Sequence, residues 1–295
     1  MRALVTGGAG FIGSNLALEL EKLGSEVTVV DNFSTGNIKN LGGFKGEIIK
    51  KDISQPINIQ GDFDNIFHMG CITSATVEKD DKILKENING FLEVLKFSIR
   101  KNANLILGSS SAVYGNGYVP MRENQKLKPL NAYGLSKTVI DHIAKKKFDK
   151  INIVCLRYFN VYGNKEIYKG KLASMVYQLT KTIKEDKKPR IFKYGEQKRD
   201  YIYIKDVVDA NIKAASLNKS GIFNVGSGKQ ITFNSLIKLI CKILDKDIKI
   251  EYIDNPYEKI YQDNTLSYNL NTERILKFKP KYDLESGIRD YLKDI

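Results

Sequence analysis

The sequence predicts an α/β protein with two parts, a doubly wound parallel sheet and a smaller mixed α/β lobe. Strand-like apolar runs alternate with helix-periodic runs over residues 1–160. Such alternation builds a parallel sheet that is covered by helices on both faces. A glycine-rich turn joins the first strand to the first helix, and the pattern changes after residue 163.

The first part contains six predicted strands and three predicted helices. The strands are "RALVT", "EVTVVD", "GEIIKKDI", "DNIFHMG", "ANLILGSSS" and "INIVCLRYF". The helices are "FIGSNLALELEKLG", "KENINGFLEVLKFSIRKN" and the helix that carries "NAYGLSK". Because the strands are short and apolar while the helices lie between them, we expect each helix to cross over the sheet.

The second part is expected to be a smaller lobe in which helices dominate. Its predicted helices are "LASMVYQLTKTIKED", "KDVVDANIKAASL", "FNSLIKLICKIL" and "YDLESGIRDYLKDI", and its predicted strands are "GIFNVG" and "IKIEYI". We therefore divide the chain into residues 1–163 and residues 164–295, with segments of the second part returning to the first.

Composition places the chain among ordinary soluble globular proteins. Of its 295 residues, 42% are hydrophobic and 27% are charged. It contains no apolar run long enough for a transmembrane helix, and its first residues lack the regions of a signal peptide. The three cysteines are far apart in no metal-like spacing, so we expect reduced thiols, a cytoplasmic location and no metal site.

The net charge of +13 admits two interpretations. A phosphate-bearing partner, either nucleic acid or a nucleotide, would attract such a charge. The alternative is a lysine-rich surface, and the lysines are indeed scattered among acidic residues. No compact basic run or aromatic-basic motif occurs, so we expect neither a nucleic acid nor a membrane as a partner.

The turn "TGGAGFIGS" at residues 6–14 carries the spacing of a dinucleotide-binding site. Gly7, Gly10 and Gly13 follow a predicted strand and open a predicted helix, and Asp31 ends the next strand. Glycines let the backbone approach a pyrophosphate, whose charge is stabilised at the helix N-terminus. Residues 1–163 are therefore expected to form a Rossmann domain, and residues 164–295 a substrate-binding lobe.

The residues after the second and third strands bear on which cofactor is bound. Asp31 is expected to accept hydrogen bonds from the adenosine ribose diol and to repel a 2′-phosphate, which favours NAD. Asn32 and Lys39 stand nearby, and a lysine there could pair with that phosphate, so NADP remains open. Asp52 and Ile53 are expected to contact adenine, with a simple strand-end turn as the alternative.

Tyr133 and Lys137 form the candidate catalytic pair. They are four residues apart on one predicted helix, so both side chains project from the same face. If the pair is buried, the ammonium lowers the pKa of the phenol and makes it usable as an acid or base. Ser110 ends a predicted strand, where ligands bind in parallel sheets, and Ser109 and Ser111 could share its role.

The motifs "TGGAGFIGS", "SSSAVYG", "NAYGLSK" and "LRYFNVYG" together resemble the extended short-chain dehydrogenases/reductases, specifically the nucleotide-sugar epimerases and dehydratases. The resemblance implies that Tyr133 is the acid/base, that Lys137 binds the nicotinamide ribose, and that Ser110 steadies the reacting oxygen. It also implies cofactor contacts from three more residues, namely Phe11, Ile12 and Asn87. From the residues alone, Asn87 could equally be a polar residue inside a helix.

The serine segment argues against dehydration. Sugar 4,6-dehydratases carry an aspartate and a glutamate after the serine or threonine, whereas this chain has Ser111 and Ala112. Reversible oxidation of a carbinol carbon therefore fits better than loss of water.

The second half of the chain is similar to ADP-glycero-manno-heptose 6-epimerases, notably in "LRYFNVYGNKEIYKGKLASMVYQL" and "FKYGEQKRDYIYIKDVVDAN". That resemblance implies oxidation at C6″ and return of the same hydride to the other face, which requires a second acid/base. Lys169 falls at that position in "YKGK", and Lys171 is the alternative. A third interpretation is that Lys165, Lys169 and Lys171 bind substrate phosphates.

The same resemblance implies a set of substrate-binding residues: Ser110, Asn160, Val161, Lys171, Gln178, Phe192, Arg199 and Tyr261. Arg199 is expected to clamp the diphosphate because a guanidinium is a planar, permanently charged donor. A surface ion pair with Asp200 is the alternative. The expected partner is thus a nucleotide-diphosphate sugar, and homo-oligomers are expected by analogy.

Two rival functions remain open from the sequence. One is a UDP-hexose 4-epimerase, in which one tyrosine suffices because the ketosugar rotates in the site. The other is a catalytically silent scaffold that senses the cofactor, against which the intact Tyr133, Lys137 and Ser110 argue.

Overall fold

The computed structural model describes residues 1–73 and 81–293. Its strands are β1 (Arg2–Thr6), β2 (Glu26–Asp31), β3 (Glu47–Lys50), β4 (Asn65–His68), β5 (Asn104–Ser110), β6 (Ile153–Tyr158), β7 (Asn160–Tyr162), β8 (Arg190–Phe192), β9 (Lys198–Tyr203), β10 (Gly221–Val225), β11 (Gln230–Thr232) and β12 (Glu251–Ile253). Its α-helices are α1 (Phe11–Lys22), α2 (Asp81–Lys101), α3 (Ala132–Lys145), α4 (Met175–Lys184), α5 (Ile204–Ala215), α6 (Phe233–Leu244), α7 (Leu270–Ile275) and α8 (Leu284–Tyr291).

Seven parallel strands form the main sheet in the order β10-β6-β5-β4-β1-β2-β3. Apolar residues of α1 and α5 pack on one face of this sheet, and those of α2 and α3 pack on the other. The strand order reverses at β1, which lies between β2 and β4. The predicted doubly wound α/β fold is therefore confirmed, and its switch point marks the expected ligand crevice.

The smaller lobe contains a three-stranded sheet, β11-β9-β7, and a two-stranded sheet, β12-β8. Helices α4, α6 and α8 contribute to the core that covers these sheets. Strand β10 follows residue 163 in the chain but pairs with β6, so it extends the main sheet. A segment from the second part of the chain thus crosses back to the first.

Several element boundaries differ from the predictions. Four strands were not predicted, namely β7, β8, β9 and β11, and three of them have only three residues, too few for a period-two pattern. The strand predicted as "GEIIKKDI" is confined to Glu47–Lys50. Helix α2 begins at Asp81, earlier than predicted, and α8 ends at Tyr291. The predicted last helix extends to residues 294–295, which lie outside the described residues.

None of the helices within residues 1–73 and 81–293 has the length and apolar character needed to cross a membrane. The same part of the chain contains no group of three His, Cys, Asp or Glu side chains placed to hold a metal ion.

Candidate active site

The glycine turn after β1 has a backbone that larger residues would not tolerate. Gly7 has φ +65, and a Cβ built there would lie 2.5 Å from Cα of Gly70. A Cβ on Gly13 would lie 2.2 Å from the carbonyl oxygen of Gly7. This close packing brings the N-terminus of α1 to the end of β1, where its free amides can meet an anion.

A cleft with a volume of about 480 Å³ opens in front of this turn, at the carboxyl ends of β1, β4 and β5. Most of the predicted cofactor residues line it: Gly7, Gly10, Phe11, Ile12, Gly13, Asp31, Asn32, Asp52, Ile53, Asn87, Tyr133 and Lys137. Lys169 lines the same cleft. Residues that are scattered over the sequence therefore converge on one site.

Asp31 is fixed by the backbone at one end of the cleft. Its Oδ2 accepts a hydrogen bond from the amide of Ala9 at 2.9 Å, and its Oδ1 accepts one from the amide of Phe33 at 2.8 Å. Each carboxylate oxygen has a second lone pair for a ligand hydroxyl. Lys39 lies apart from this cleft and lines a neighbouring pocket with Asn40 and Lys165.

Asp52 and Asn32 meet beside Asp31. The carboxylate of Asp52 accepts a hydrogen bond from the amide of Ser54 at 2.8 Å, and this bond lowers the pKa of Asp52. Asn32 also donates to Asp52, which lowers that pKa further. The region therefore presents two carboxylates to whatever occupies this end of the cleft.

Asn87 joins three segments of the cleft wall. Its Oδ1 accepts a hydrogen bond from the amide of Ile72 at 2.8 Å, and its Nδ2 donates to the carbonyl of Ile72 and to Oγ of Ser136. The hydrogen bonds of Asn87 therefore connect α2 to the segment after β4 and to α3. Asn87 also lines the cleft.

Tyr133 and Lys137 lie on α3, which begins where Oδ1 of Asn131 accepts a hydrogen bond from the amide of Gly134. Lys137 is buried, and its Nζ lies 5.9 Å from the centre of the Tyr133 ring. The hydroxyl of Ser110 forms a hydrogen bond with the side chain of Tyr133. Three of the four predicted catalytic residues, namely Tyr133, Lys137 and Ser110, are thus neighbours.

The pKa of Tyr133 reflects opposing influences. Burial raises it most strongly and Cys71 raises it further, whereas Lys137 and the hydrogen bond from Ser110 lower it. Lys137 therefore acts in the predicted direction, but burial outweighs it, and the net shift in the protein alone is upward. Burial lowers the pKa of Lys137, but Cys71 and Tyr133 overcome this effect and raise it, so its ammonium form is favoured.

Lys169 reaches the cleft from a different element, the 3-10 segment Glu166–Leu172. Its Nζ lies 5.4 Å from the centre of the Phe11 ring, at the N-terminus of α1. Burial lowers the pKa of Lys169, and the raising effects of Glu166 and Cys71 do not cancel this. Lys171 is exposed, so of the two candidate lysines only Lys169 lines the cleft.

Arg199 forms the centre of a second cluster with aromatic residues. Its guanidinium donates to the carbonyls of Lys198 and Asp263 at 3.0 Å, and also to that of Gln262. It lies 4.7 Å from the centre of the Tyr261 ring, which packs edge-on against Phe192 at 5.4 Å. The cluster thus presents aromatic faces beside a fixed cation.

The alternative of an ion pair between Arg199 and Asp200 is wrong. The carboxylate of Asp200 instead accepts hydrogen bonds from Ser227 and Ser267, and it is fully buried. Sequence adjacency is misleading here because neighbouring residues of β9 point to opposite faces of the sheet.

Three other predicted substrate residues hold the lobe together. Asn160 donates to the carbonyl of Asp200 at 3.0 Å and to Oγ1 of Thr265 at 2.9 Å. Gln178 donates to the carbonyl of Ala173 at 2.7 Å, and Val161 is the middle residue of β7. None of the three is among the described residues that line the cleft.

The segment after Tyr261 joins the second cluster to the catalytic strand. Nε2 of Gln262 donates to the carbonyl of Gly115 at 2.8 Å, and Oδ1 of Asn116 accepts a hydrogen bond from the amide of Asp263 at 3.0 Å. Gly115 follows the short 3-10 turn that begins after Ser110. The Arg199 cluster is therefore tied to the carboxyl end of β5.

Sequence reasoning missed several residues of the cleft, among them Met69, Cys71, Tyr158 and Tyr168. Cys71 raises the pKa values of Tyr133 and Lys137, so it lies within electrostatic reach of both. A signal was available for two of them. Tyr158 ends β6 within "LRYFNVYG", and Cys71 follows β4, so both come from the carboxyl ends of parallel strands, where ligands bind.

Comparison with known proteins agrees with this geometry. Residues 3–226 match the NAD dependent epimerase/dehydratase family, so the chain belongs to that family. It is 37% identical to an ADP-L-glycero-D-manno-heptose-6-epimerase from Brachyspira hyodysenteriae, over 98% of this chain and 96% of that protein. The predicted family and the predicted class of enzyme are confirmed.

Two solved structures have closely similar folds. The ADP-L-glycero-D-manno-heptose-6-epimerase of Helicobacter pylori superposes with a TM-score of 0.92 at 38% identity, covering 99% of this chain and 95% of that one. A UDP-glucose 4-epimerase of Thermotoga maritima, solved with UDP-glucose, superposes with a TM-score of 0.91 at 29% identity, covering 99% and 98%.

The residues in the cleft fit an NAD(P) cofactor, as the family description implies. Side chains at Gly7 and Gly13 would collide with the backbone, so only glycine fits there. Without side chains, the amides of the turn are accessible to a pyrophosphate. The acceptor oxygens of Asp31 suit ribose hydroxyls, and the donors on Lys137 suit a second ribose.

Proposed function

We propose that the protein is an ADP-glycero-manno-heptose 6-epimerase that uses a tightly bound NAD. The observation that carries this proposal is the convergence of Tyr133 and Lys169 on one cleft from different elements. Inversion of a carbinol carbon through a ketone requires proton transfer on both faces, and two separate acid/base groups meet that need. The names and near-complete overlap of the relatives support the substrate.

Each residue has a defined role in this proposal. Tyr133 exchanges a proton with the sugar hydroxyl on one face, Ser110 holds the reacting oxygen, and Lys137 binds ribose hydroxyls and stabilises the phenolate. Lys169 exchanges a proton on the other face, for which a lowered pKa is suited. A nicotinamide cofactor held by the glycine turn, Asp31 and Lys137 would supply the hydride acceptor and donor for the carbinol carbon.

The Arg199 cluster is proposed to bind the nucleotide diphosphate. A guanidinium already oriented by three carbonyls is a pre-organised donor for a diphosphate, and the rings of Tyr261 and Phe192 offer apolar surface beside it. Asn160, Val161, Lys171 and Gln178 are proposed to contribute to substrate binding. NAD is proposed over NADP because the Asp31 carboxylate in the cleft would repel a 2′-phosphate, while Lys39 lines the neighbouring pocket. A cytoplasmic location and a homo-oligomeric state remain predictions.

A UDP-hexose 4-epimerase is the second candidate, supported by the fold of the Thermotoga maritima enzyme. In such an enzyme a second acid/base is unnecessary, so a buried lysine with a lowered pKa has no role in the chemistry. This is why we favour the first candidate.

The deciding experiment is NMR of the product configuration after separate incubations with ADP-glycero-manno-heptose and UDP-glucose in D₂O. We expect inversion at C6″ of the heptose, no inversion of UDP-glucose, and no carbon-bound deuterium, because the hydrogen returns as a hydride. Inversion of UDP-glucose alone would support the second candidate. Deuterium at C6″ would contradict the transient oxidation, and inversion of neither sugar would refute both candidates.

A further inference from the structure

Glu166 is a buried carboxylate that lies outside the lining of the cleft. It opens the 3-10 segment that carries Lys169, and its exposed fraction is 0%. Its Oε1 accepts hydrogen bonds from the amide of Gly163 at 2.9 Å and from Oγ of Ser174 at 3.0 Å. Its Oε2 accepts one from the amide of Ser174 at 2.6 Å.

These hydrogen bonds connect the two ends of the 3-10 segment to each other. Gly163 lies before the 3-10 turn and Ser174 lies after it, at the N-cap of α4, so one carboxylate joins the two ends. Gly170, directly after Lys169, has φ +55 and interrupts the helical backbone between those ends. The position of Lys169 therefore depends on how the two ends are held.

All three partners donate to Glu166, and both of its oxygens are acceptors. This pattern is that of an ionised carboxylate, which has only acceptor sites. Burial raises the pKa of Glu166 most strongly. The amides of Gly163 and Ser174 and the charge of Lys169 lower it, but the net shift is upward, so the ionised form depends on these donors. The phenols of Tyr162, Tyr177 and Tyr291 also face Glu166, whose charge raises the pKa of each.

Glu166 also acts on Lys169 through charge. Burial lowers the pKa of Lys169, and the carboxylate of Glu166 is the largest influence in the opposite direction, followed by Cys71. These influences oppose each other, and the pKa of Lys169 stays below its usual range, which suits a group that both accepts and donates a proton.

We infer that Glu166 is a positioning residue for the acid/base Lys169. Its carboxylate connects Gly163 to Ser174 through hydrogen bonds and so holds Lys169 in the cleft. It also places a negative charge beside the ammonium. The inference rests on the proposed function, because it assigns Glu166 to the same reaction.

The test compares Glu166→Gln with the wild-type enzyme. The amide keeps one acceptor oxygen but loses the charge. We expect kcat to fall about 10-fold to 100-fold, since small misplacements of a reacting group cost that much, while KM for the sugar nucleotide stays within about twofold. In the pH profile of kcat, the limb that reports the ionisation of Lys169 should move to lower pH, because loss of the carboxylate destabilises the ammonium. Glu185→Gln, an exposed carboxylate at the end of α4, is the matched control.

A second readout is independent of catalysis. Reductive methylation with ¹³C-formaldehyde labels lysine amines, and the signal that is absent from Lys169→Met identifies Lys169. We expect that signal to titrate at lower pH in Glu166→Gln than in the wild type, whereas an unmoved titration would overturn the inference whatever happens to kcat. If the wild type inverts no sugar nucleotide, the proposed function fails, but this titration still decides the role of Glu166.

Ser174→Ala provides a further check if Glu166→Gln does not fold. It removes one bond to Glu166 and leaves the charge in place. We expect a smaller fall in kcat and an unmoved pH limb. An unchanged kcat in a folded Ser174→Ala variant would contradict a role for Glu166 in connecting the two ends of the segment.

Discussion

Nζ of Lys137 donates a hydrogen bond to the carbonyl oxygen of Gly108 at 2.6 Å, from a side chain that is 2% exposed. This bond joins α3 to β5, so the lysine has a fixed place beside the phenol. A buried ammonium with one fixed acceptor has further donors for a ribose and for the electrostatic support of a phenolate. The catalytic pair therefore depends on packing between helix and sheet, in addition to its spacing on the helix.

The first prediction concerns Tyr133. Replacement by phenylalanine keeps the ring but removes the proton that the reaction needs, so kcat should fall by roughly 10²-fold to 10⁴-fold. Cofactor binding, measured by fluorescence titration, should stay within about threefold of the wild type. Tyr118→Phe is the control, since Tyr118 is 90% exposed and lies outside the cleft. A Tyr133→Phe enzyme with more than a tenth of wild-type turnover would rule out this acid/base.

The second prediction separates Lys169 from Lys171. Lys169→Met should lower kcat for the heptose by at least about 100-fold with intact cofactor binding, because one face of the ketone loses its acid/base. Lys171→Met should change kcat much less, since Lys171 is exposed. Steady-state assays of both variants under identical conditions decide between them. The reverse ranking would transfer the role to Lys171.

The third prediction concerns cofactor choice. The wild type should bind NAD at least about tenfold more tightly than NADP, because the Asp31 carboxylate repels a 2′-phosphate. Asp31→Asn should reduce that ratio about tenfold, as measured by calorimetric titration of each cofactor. Asp62→Asn, a largely exposed control, should leave the ratio unchanged. If the ratio is the same in Asp31→Asn and the wild type, another residue sets the preference.

The sequence was sufficient to predict the central sheet and most of the residues proposed to hold the cofactor in the cleft, because both depend on local patterns. Strand-helix alternation fixes the fold class, and the glycine spacing marks the turn at Gly7. Two features could be established only from the structure. The sequence could not exclude an ion pair between Arg199 and Asp200, because the side-chain directions on β9 were unknown, and it could not show that Lys39 lines a different pocket.

The role of Glu166 shows a second limit of prediction from sequence. Its partners, Gly163 and Ser174, lie three residues before it and eight after it, in no recurring pattern. Only the fold of the 3-10 segment brings them to one carboxylate. The net pKa of Tyr133 shows the same limit, because burial cannot be read from an i,i+4 spacing.

The fourth prediction concerns the stability of α3. Nε of Arg157 on β6 donates to Oδ2 of Asp141 at 2.8 Å, and both side chains are almost fully buried. Arg157→Met leaves Asp141 charged and unpaired, so the free energy of unfolding should fall by about 3–5 kcal/mol. The double variant Arg157→Met/Asp141→Leu should recover most of that loss. Urea unfolding of the three proteins measures this, and a double variant no more stable than Arg157→Met would contradict the explanation.

The fifth prediction is a pH dependence that arises from His68, a buried residue of β4 whose Nδ1 lies 2.8 Å from Oγ1 of Thr6. Burial, and then the charge of Lys137, lowers the pKa of His68 to about 3. The unfolded chain therefore binds a proton near pH 6.5 that the folded protein does not bind, and stability is lost as the pH falls from about 6.5 toward 3.

Relative to His68→Asn, the free energy of unfolding of the wild type should fall by about 1 kcal/mol per pH unit between pH 6 and pH 4, as measured by urea unfolding. His142→Asn, which changes an exposed histidine of α3, should keep the wild-type slope. Parallel slopes for the wild type and His68→Asn would mean that His68 is protonated in the folded protein.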